Sequence, residues 1–139
     1  MLKMICEYLI PVSYPDHRFI FRSEEPMDRI LFIEKGFVLI SPAADSNPSK
    51  RALKAGGFYG DEELLSWVVK DDPRLSDLPI SRGNVKCHSK VDCFVLLAKD
   101  LRTVVSRSRV YWDLKNSKKR EEVATAAILR FGNITETSI

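Results

Sequence analysis

Apolar and polar positions change rhythm along the chain. In residues 1–10 the apolar side chains Met1, Leu2, Met4, Ile5, Leu9 and Ile10 recur close to helical spacing, which predicts a helix ended by Pro11. Short extended runs follow, punctuated by turn formers. Arg18–Arg22 is one run, broken by Ser23-Glu-Glu-Pro. Arg29–Ile33 is another, and Glu34-Lys-Gly turns it into Phe37–Ile40 as a hairpin partner. Residues 43–50 are polar and contain Pro48, so they read as an exposed loop before a brief strand at Arg51–Lys54. A glycine cluster then feeds a helix expected near Glu62–Val69, and Lys70–Pro79, with its prolines and aspartates, reads as loop. Val85–His88 and Val91–Leu97 complete the strand pattern. The spacing predicts a mainly β chain of about eight strands between Val12 and Leu97, interrupted by one helix: a roll or barrel rather than a layered α/β fold.

From Ala98 the period becomes helical again, and residues 110–131 form a helix-prone, patchily amphipathic stretch ending at Gly132. The organisation expected is a roll with its N-terminal helix over residues 1–109, a C-terminal helix over 110–131 and a tail over 132–139. Nine basic against four acidic residues in 98–131 give that part +5 of a net +3, leaving the body slightly acidic. Such a tail suits an acidic partner, anionic lipid or nucleic acid, although a solvated helix face explains it more simply.

Composition sets limits. The 139 residues fit one domain, and 45% apolar with 29% charged residues is ordinary globular composition. The longest apolar runs, Ile30–Ile33 and Phe94–Ala98, are too short to span a bilayer, and early charges argue against a signal peptide. Cys6, Cys87 and Cys93 are scattered, and read as reduced, buried thiols in a cytosolic setting. His17 and His88 lack carboxylates at ligand spacing, so no metal site and no catalytic residues are expected, and an enzyme is disfavoured. His88 reads as a strand surface residue and Cys93 as core. Trp67 and Trp112 can stack a purine, but packing of helix on roll is the commoner use. A nucleic-acid partner lacks interleaved aromatics or a known module.

The richest local chemistry lies in Ala55–Trp67, AGGFYGDEELLSW. Gly56, Gly57 and Gly60 permit a sharp turn and close approach to the main chain, and the helix start that follows offers unpaired N–H groups to an anion. The simpler reading is a loop before a surface helix, with Asp61, Glu62 and Glu63 offsetting the helix dipole.

The order β-hairpin, Leu-Lys-Ala-Gly-x-Phe-x-Gly, acidic pair and Leu-Leu-Ser-Trp resembles the cyclic nucleotide-binding domain of plant cyclic nucleotide-gated cation channels. Leu31–Gly36 resembles the family's second hairpin, and Phe58–Trp67 its phosphate-binding cassette. Leu78-Pro-Ile-Ser, Val85-Lys and Val91–Leu101 resemble the strands and helix after the cassette, and Arg120–Arg130 the run into the calmodulin-binding IQ motif. The resemblance implies a β-roll (jelly roll) with a cassette helix and a hinged C-terminal lid helix. It implies a cyclic-nucleotide site at Phe58, Gly60, Asp61, Glu62, Leu64, Leu65 and Arg82, with cAMP or cGMP as regulatory ligand and no other cofactor. It further implies a calmodulin or lid surface at Trp112, Lys119, Arg120 and Ile128, with calmodulin or channel subunits as partners. The residues themselves point to an amphipathic basic helix rather than an IQ grip on calmodulin, with Trp112, Val123, Ile128 and Phe131 as apolar anchors and Lys115, Lys118, Lys119 and Arg120 toward an acidic rim. The parent family lies at the plasma membrane with this domain on the cytoplasmic side. Without a pore, the chain is expected to be cytosolic: a fragment, a truncated product or a free-standing relative.

The chain also departs from that pattern. Gly60-Asp-Glu-Glu-Leu is one residue longer than the family's form, so either Asp61 or Glu62 faces the ribose. Gly83 stands where the phosphate-binding Arg is expected, with Arg82 one place early; in a strand that shift reverses the face, unless Gly83 permits a bulge. Asp16-His17 and Glu24 replace glycines, and Leu129 replaces the Gln of the IQ motif. Weak nucleotide binding is therefore expected, tightened by Gly83→Arg. The two functional expectations are a cyclic-nucleotide sensor and a degenerate module that engages calmodulin or sister subunits.

Overall fold

The computed structural model describes residues 2–42 and 50–107. Expectations resting on residues 108–139, including Trp112, Lys115, Lys118, Lys119, Arg120, Val123, Ile128 and Phe131, lie outside the described residues, as does most of the 43–50 loop. In chain order the elements are α1 (Leu2–Tyr8), β1 (Ile10–Tyr14), β2 (Phe19–Phe21), β3 (Arg29–Lys35), β4 (Val38–Pro42), β5 (Arg51–Leu53), β6 (Phe58–Tyr59), α2 (Asp61–Val68), β7 (Gly83–Cys87), β8 (Val91–Leu97) and α3 (Ala98–Arg107), with a short 3-10 turn at Leu75–Asp77. Two four-stranded sheets, ordered β1-β8-β3-β6 and β2-β7-β4-β5, face each other as a roll, and every strand pairing among the described residues is antiparallel. This is the mainly β architecture with flanking helices that the spacing predicts.

The first helix stops earlier than Ile10. Ile10 and Pro11 instead open β1, an edge strand of its sheet, where a proline without an N–H is tolerated. The two-residue β6 is too short to carry a period-2 signal.

Alternation along the strands sorts side chains into two cores. Leu31, Ile33, Val38, Val85, Cys93 and Val95 meet inside the roll, joined by Phe21 and Tyr59. On the other face of the first sheet, Ile30, Phe32 and Leu96 take the apolar stripes of the helices: Ile5 of α1, Leu64, Leu65 and Trp67 of α2, and Leu101, Val104 and Val105 of α3. β3 is covered on both faces, which is why Ile30–Ile33 reads as an unbroken apolar run. Cys87 and Cys93 are buried as expected, whereas Cys6 is exposed because it lies on α1 next to the inward-facing Ile5. His88 is a surface residue, stacked on Phe37.

His17 and Glu24, which stand where the resemblance implies glycine, both take left-handed backbone angles, φ 69° and 70°. Each turn is pinned by main-chain bonds, His17 N–H to the Cys87 carbonyl at 3.0 Å and Glu24 N–H to the Ser81 carbonyl at 2.8 Å. The roll therefore imposes on these side chains a conformation that glycine adopts with less strain.

Candidate functional site

β5 and β6 are the last strands of their respective sheets, so the roll is open between them. The turn from β6 into α2 crosses that opening. Gly60, at φ 90°, makes the turn, and a Cβ there would press within 3.2 Å of the Arg29 carbonyl oxygen, so close backbone passage and positive φ both call for glycine. Beside the turn lies a cleft of about 340 Å³, lined by Arg51, Gly57, Phe58, Gly60, Asp61 and Glu62 among others. A volume of this size falls in the range of small-molecule sites.

The structure thus brings four of the expected ligand residues, Phe58, Gly60, Asp61 and Glu62, to one cleft. Leu64 and Leu65 are elsewhere: at 0% and 1% exposure they are packed into the helical core on the far face of the sheet. A helix of period 3.6 that places Asp61 and Glu62 at the cleft must bury the next two apolar positions against β3 and α3.

Arg82 is exposed and lines a neighbouring cleft, also about 340 Å³, with Ser66, Trp67, Lys70 and Asp77. The two clefts share only Glu62 and Glu63 among their lining residues. No bulge carries Arg82 across. The register between β4 and β7 is unbroken from Val38↔Cys87 to Pro42↔Gly83, and the irregularity opposite β7 falls on β2, between Phe19 and Phe21. Gly83 is itself closed to substitution, because a Cβ there would collide with the Ser41 carbonyl oxygen. This overturns the expectation that Gly83→Arg tightens binding: a side chain cannot begin at this position unless β4 moves.

Below Gly83 the interior is tied by a short relay. The Ser81 hydroxyl is fully buried and donates to the Gly83 carbonyl at 2.7 Å, which leaves the Tyr59 hydroxyl, 3.0 Å away, to donate to Ser81. Tyr59 also packs on Phe21 with ring centroids 5.9 Å apart. The roles of Ser81 and Tyr59 have no signature in the sequence, since a lone Ser and Tyr become legible only once β6 and the 79–83 segment are side by side.

The electrostatics of the turn are acidic. Burial pushes the Asp61 carboxyl above its ordinary value, opposed by hydrogen bonds from the backbone N–H groups of Asp61 and Glu62, and reinforced by the negative charge of Glu62 and Glu63. Asp61 thus supplies its own anion to the first N–H groups of α2. Because the folded-state pKa is raised, the protonated carboxyl favours the fold. That contribution is complete below the ordinary value of 3.8 and is lost as pH rises through the raised one. Asp61→Asn is accordingly expected to be more stable than the natural chain at about pH 7 and equal to it at about pH 3, as read by urea denaturation at both. A variant weaker at neutral pH would show that the backbone bonds outweigh the burial.

Among the described residues no group of three or more His, Cys, Asp or Glu is arranged to hold a metal, and no helix is long and apolar enough to cross a membrane.

No protein-family model matches the sequence. The chain is 37% identical over 112 residues to cyclic nucleotide-gated ion channel 1 of Arabidopsis thaliana, a match that covers 78% of this chain and 15% of the channel. The chain therefore spans about one-seventh of the length of that relative. Among solved structures it resembles the solution structure of the cNMP-binding domain from an Arabidopsis thaliana cyclic nucleotide-regulated ion channel, at 32% identity and TM-score 0.63, covering 76% of this chain and 78% of that one. A cyclic nucleotide-binding-like protein from Brucella abortus matches at TM-score 0.58 and 11% identity, covering 76% of this chain and 82% of that one, which speaks for the fold alone.

Proposed function

The chain belongs to the cyclic nucleotide-binding domains of plant cyclic nucleotide-gated ion channels, and from that premise we propose that it serves as a cytoplasmic ligand-sensing module that modulates cation-channel gating. The observation that carries this reading is the cleft at the open edge of the roll, lined by the β6–α2 turn and by Asp61 and Glu62. A cyclic nucleotide seated there would press its phosphate toward the turn and its ribose hydroxyl toward a carboxylate acceptor. Movement of the α2 N-terminus would pass to α3, because Leu64 and Leu65 share a core with Leu101, Val104 and Val105. In a full channel such a shift would bias the gate.

Affinity for the nucleotide should be modest. Three carboxylates crowd the turn, and the inward position at Gly83 carries no guanidinium. A lost charge-assisted phosphate contact costs about 1.5–3 kcal/mol, or roughly ten- to a hundredfold. Titration of the chain with NBD-labelled cAMP and cGMP is expected to give saturable binding at micromolar or weaker concentrations. An absence of saturable binding up to ~1 mM, near −4 kcal/mol, would instead favour the second reading, a degenerate module that engages calmodulin or sister subunits. The closed Gly83 position and the separation of Arg82 from the cleft are the observations on that side.

A further inference from the structure

One cation does reach the cleft, and it comes from a strand that nothing in the local sequence marks. Arg51 opens β5 and pairs with Ile40 of β4, which on its other side pairs with Val85 of β7. Residues directly opposed in antiparallel strands place their side chains on the same face. Val85 is fully buried inside the roll, and Ile40 packs on the same cluster. Arg51 therefore projects from the inner face of its sheet at the open edge, where it lines the cleft opposite Gly60, Asp61 and Glu62. Among the described residues lining that cleft it is the sole cation.

Of the other arginines near the roll mouth, Arg29 does not line this cleft and has both terminal nitrogens engaged, leaving only its buried Nε without a partner, and Arg82 is misdirected. Arg29 donates to Asp28 at 2.6 Å and to the Ile20 carbonyl at 3.1 Å, and its guanidinium lies 4.5 Å from the centroid of the Phe21 ring. Arg82 lines the other cleft, and position 83 admits no side chain. We propose that Arg51 is the residue that meets the phosphate of a cyclic nucleotide in this cleft, making from β5 one charge-assisted contact, separate from the one that β7 cannot supply. The inference rests on the functional reading above. A planar guanidinium donates two parallel N–H bonds to the two exocyclic oxygens of a cyclic phosphodiester, and its charge offsets the carboxylates across the cleft.

The test is a titration of the whole chain with NBD-labelled cAMP, in its natural form and as Arg51→Gln, Arg51→Lys and Arg82→Gln, with adenosine as a competitor that lacks the phosphate. Arg51→Gln is expected to weaken cAMP binding about ten- to a hundredfold, with Arg51→Lys in between and Arg82→Gln within about twofold of the natural chain. Competition by adenosine should be unchanged in Arg51→Gln, since no phosphate is lost. Arg51 is exposed on an edge strand, so the thermal midpoint should stay put and folding will not confound the result. Natural affinity retained in Arg51→Gln, or an equal loss for cAMP and adenosine, would overturn the assignment while leaving the sensor reading intact. No binding by the natural chain would overturn the sensor reading and this assignment with it.

Discussion

Gly83→Arg is expected to destabilise the fold by about 2–4 kcal/mol instead of repairing a phosphate site. For a chain of this size that lowers the thermal midpoint by roughly 10 °C. The cause lies in the first atom of the side chain, since a Cβ at position 83 already collides with the Ser41 carbonyl oxygen. Backbone is the obstacle, and Pro42↔Gly83 closes the β4–β7 ladder at that point, so relief requires sliding one strand past the other. The Gly83 carbonyl is held from below by Ser81, which in turn accepts from Tyr59, so the strand has little room to move. Gly83→Ala isolates the effect, because it adds the Cβ without charge or length. It should cost most of what arginine costs in urea denaturation. An alanine variant as stable as the natural chain would remove the collision from the argument and reopen position 83 as a place to build a phosphate contact.

The same pair of residues shows where sequence reading stops. The one-residue offset between Arg82 and Gly83 is visible in the sequence, and strand alternation correctly warns that it changes the face. What closes position 83 is the carbonyl of Ser41, a residue some forty positions away whose proximity depends on the β4–β7 register. Arg51 is illegible in the sequence for a related reason. A single arginine at the start of a three-residue strand has no local signature, and its inward aim follows only from the chain of pairings through Ile40 to Val85. Local patterns served better where they coincide with a turn or a period. The helix after the glycine turn lies at Asp61–Val68, within one residue of the Glu62–Val69 that the sequence predicts, because Gly60 and the Leu-Leu-x-Trp stripe mark it locally. β1 was hidden because a helical spacing in residues 1–10 ran on into it, and Pro11 argues against a strand unless that strand is known to lie at an edge.

Trp67→Ala is expected to have the largest effect on stability, about 3–5 kcal/mol. That is a large part of the roughly 5–15 kcal/mol that holds a typical domain together. Trp67 is 2% exposed at the end of α2, in the core shared by Ile5 of α1 and Val104 and Val105 of α3. Its indole N–H donates to the Arg74 carbonyl at 2.9 Å and so ties the 70–82 connection to the helix. Arg102 of α3 holds the same connection through the Pro73 carbonyl at 3.1 Å, which makes α2, α3 and the connection one mechanical unit. Removing the indole leaves a cavity under all three. Trp67→Phe keeps most of the apolar volume and loses the hydrogen bond, worth about 1 kcal/mol, so it should fall well short of the alanine loss. The comparison also bears on signalling: a phenylalanine variant that folds but no longer passes a ligand-induced change from α2 to α3 would assign the coupling to the hydrogen-bonded connection. If Trp67→Ala costs under about 1.5 kcal/mol by urea denaturation, the indole is not the keystone of this layer, and the path from cleft to α3 must run through Leu64 and Leu65 alone.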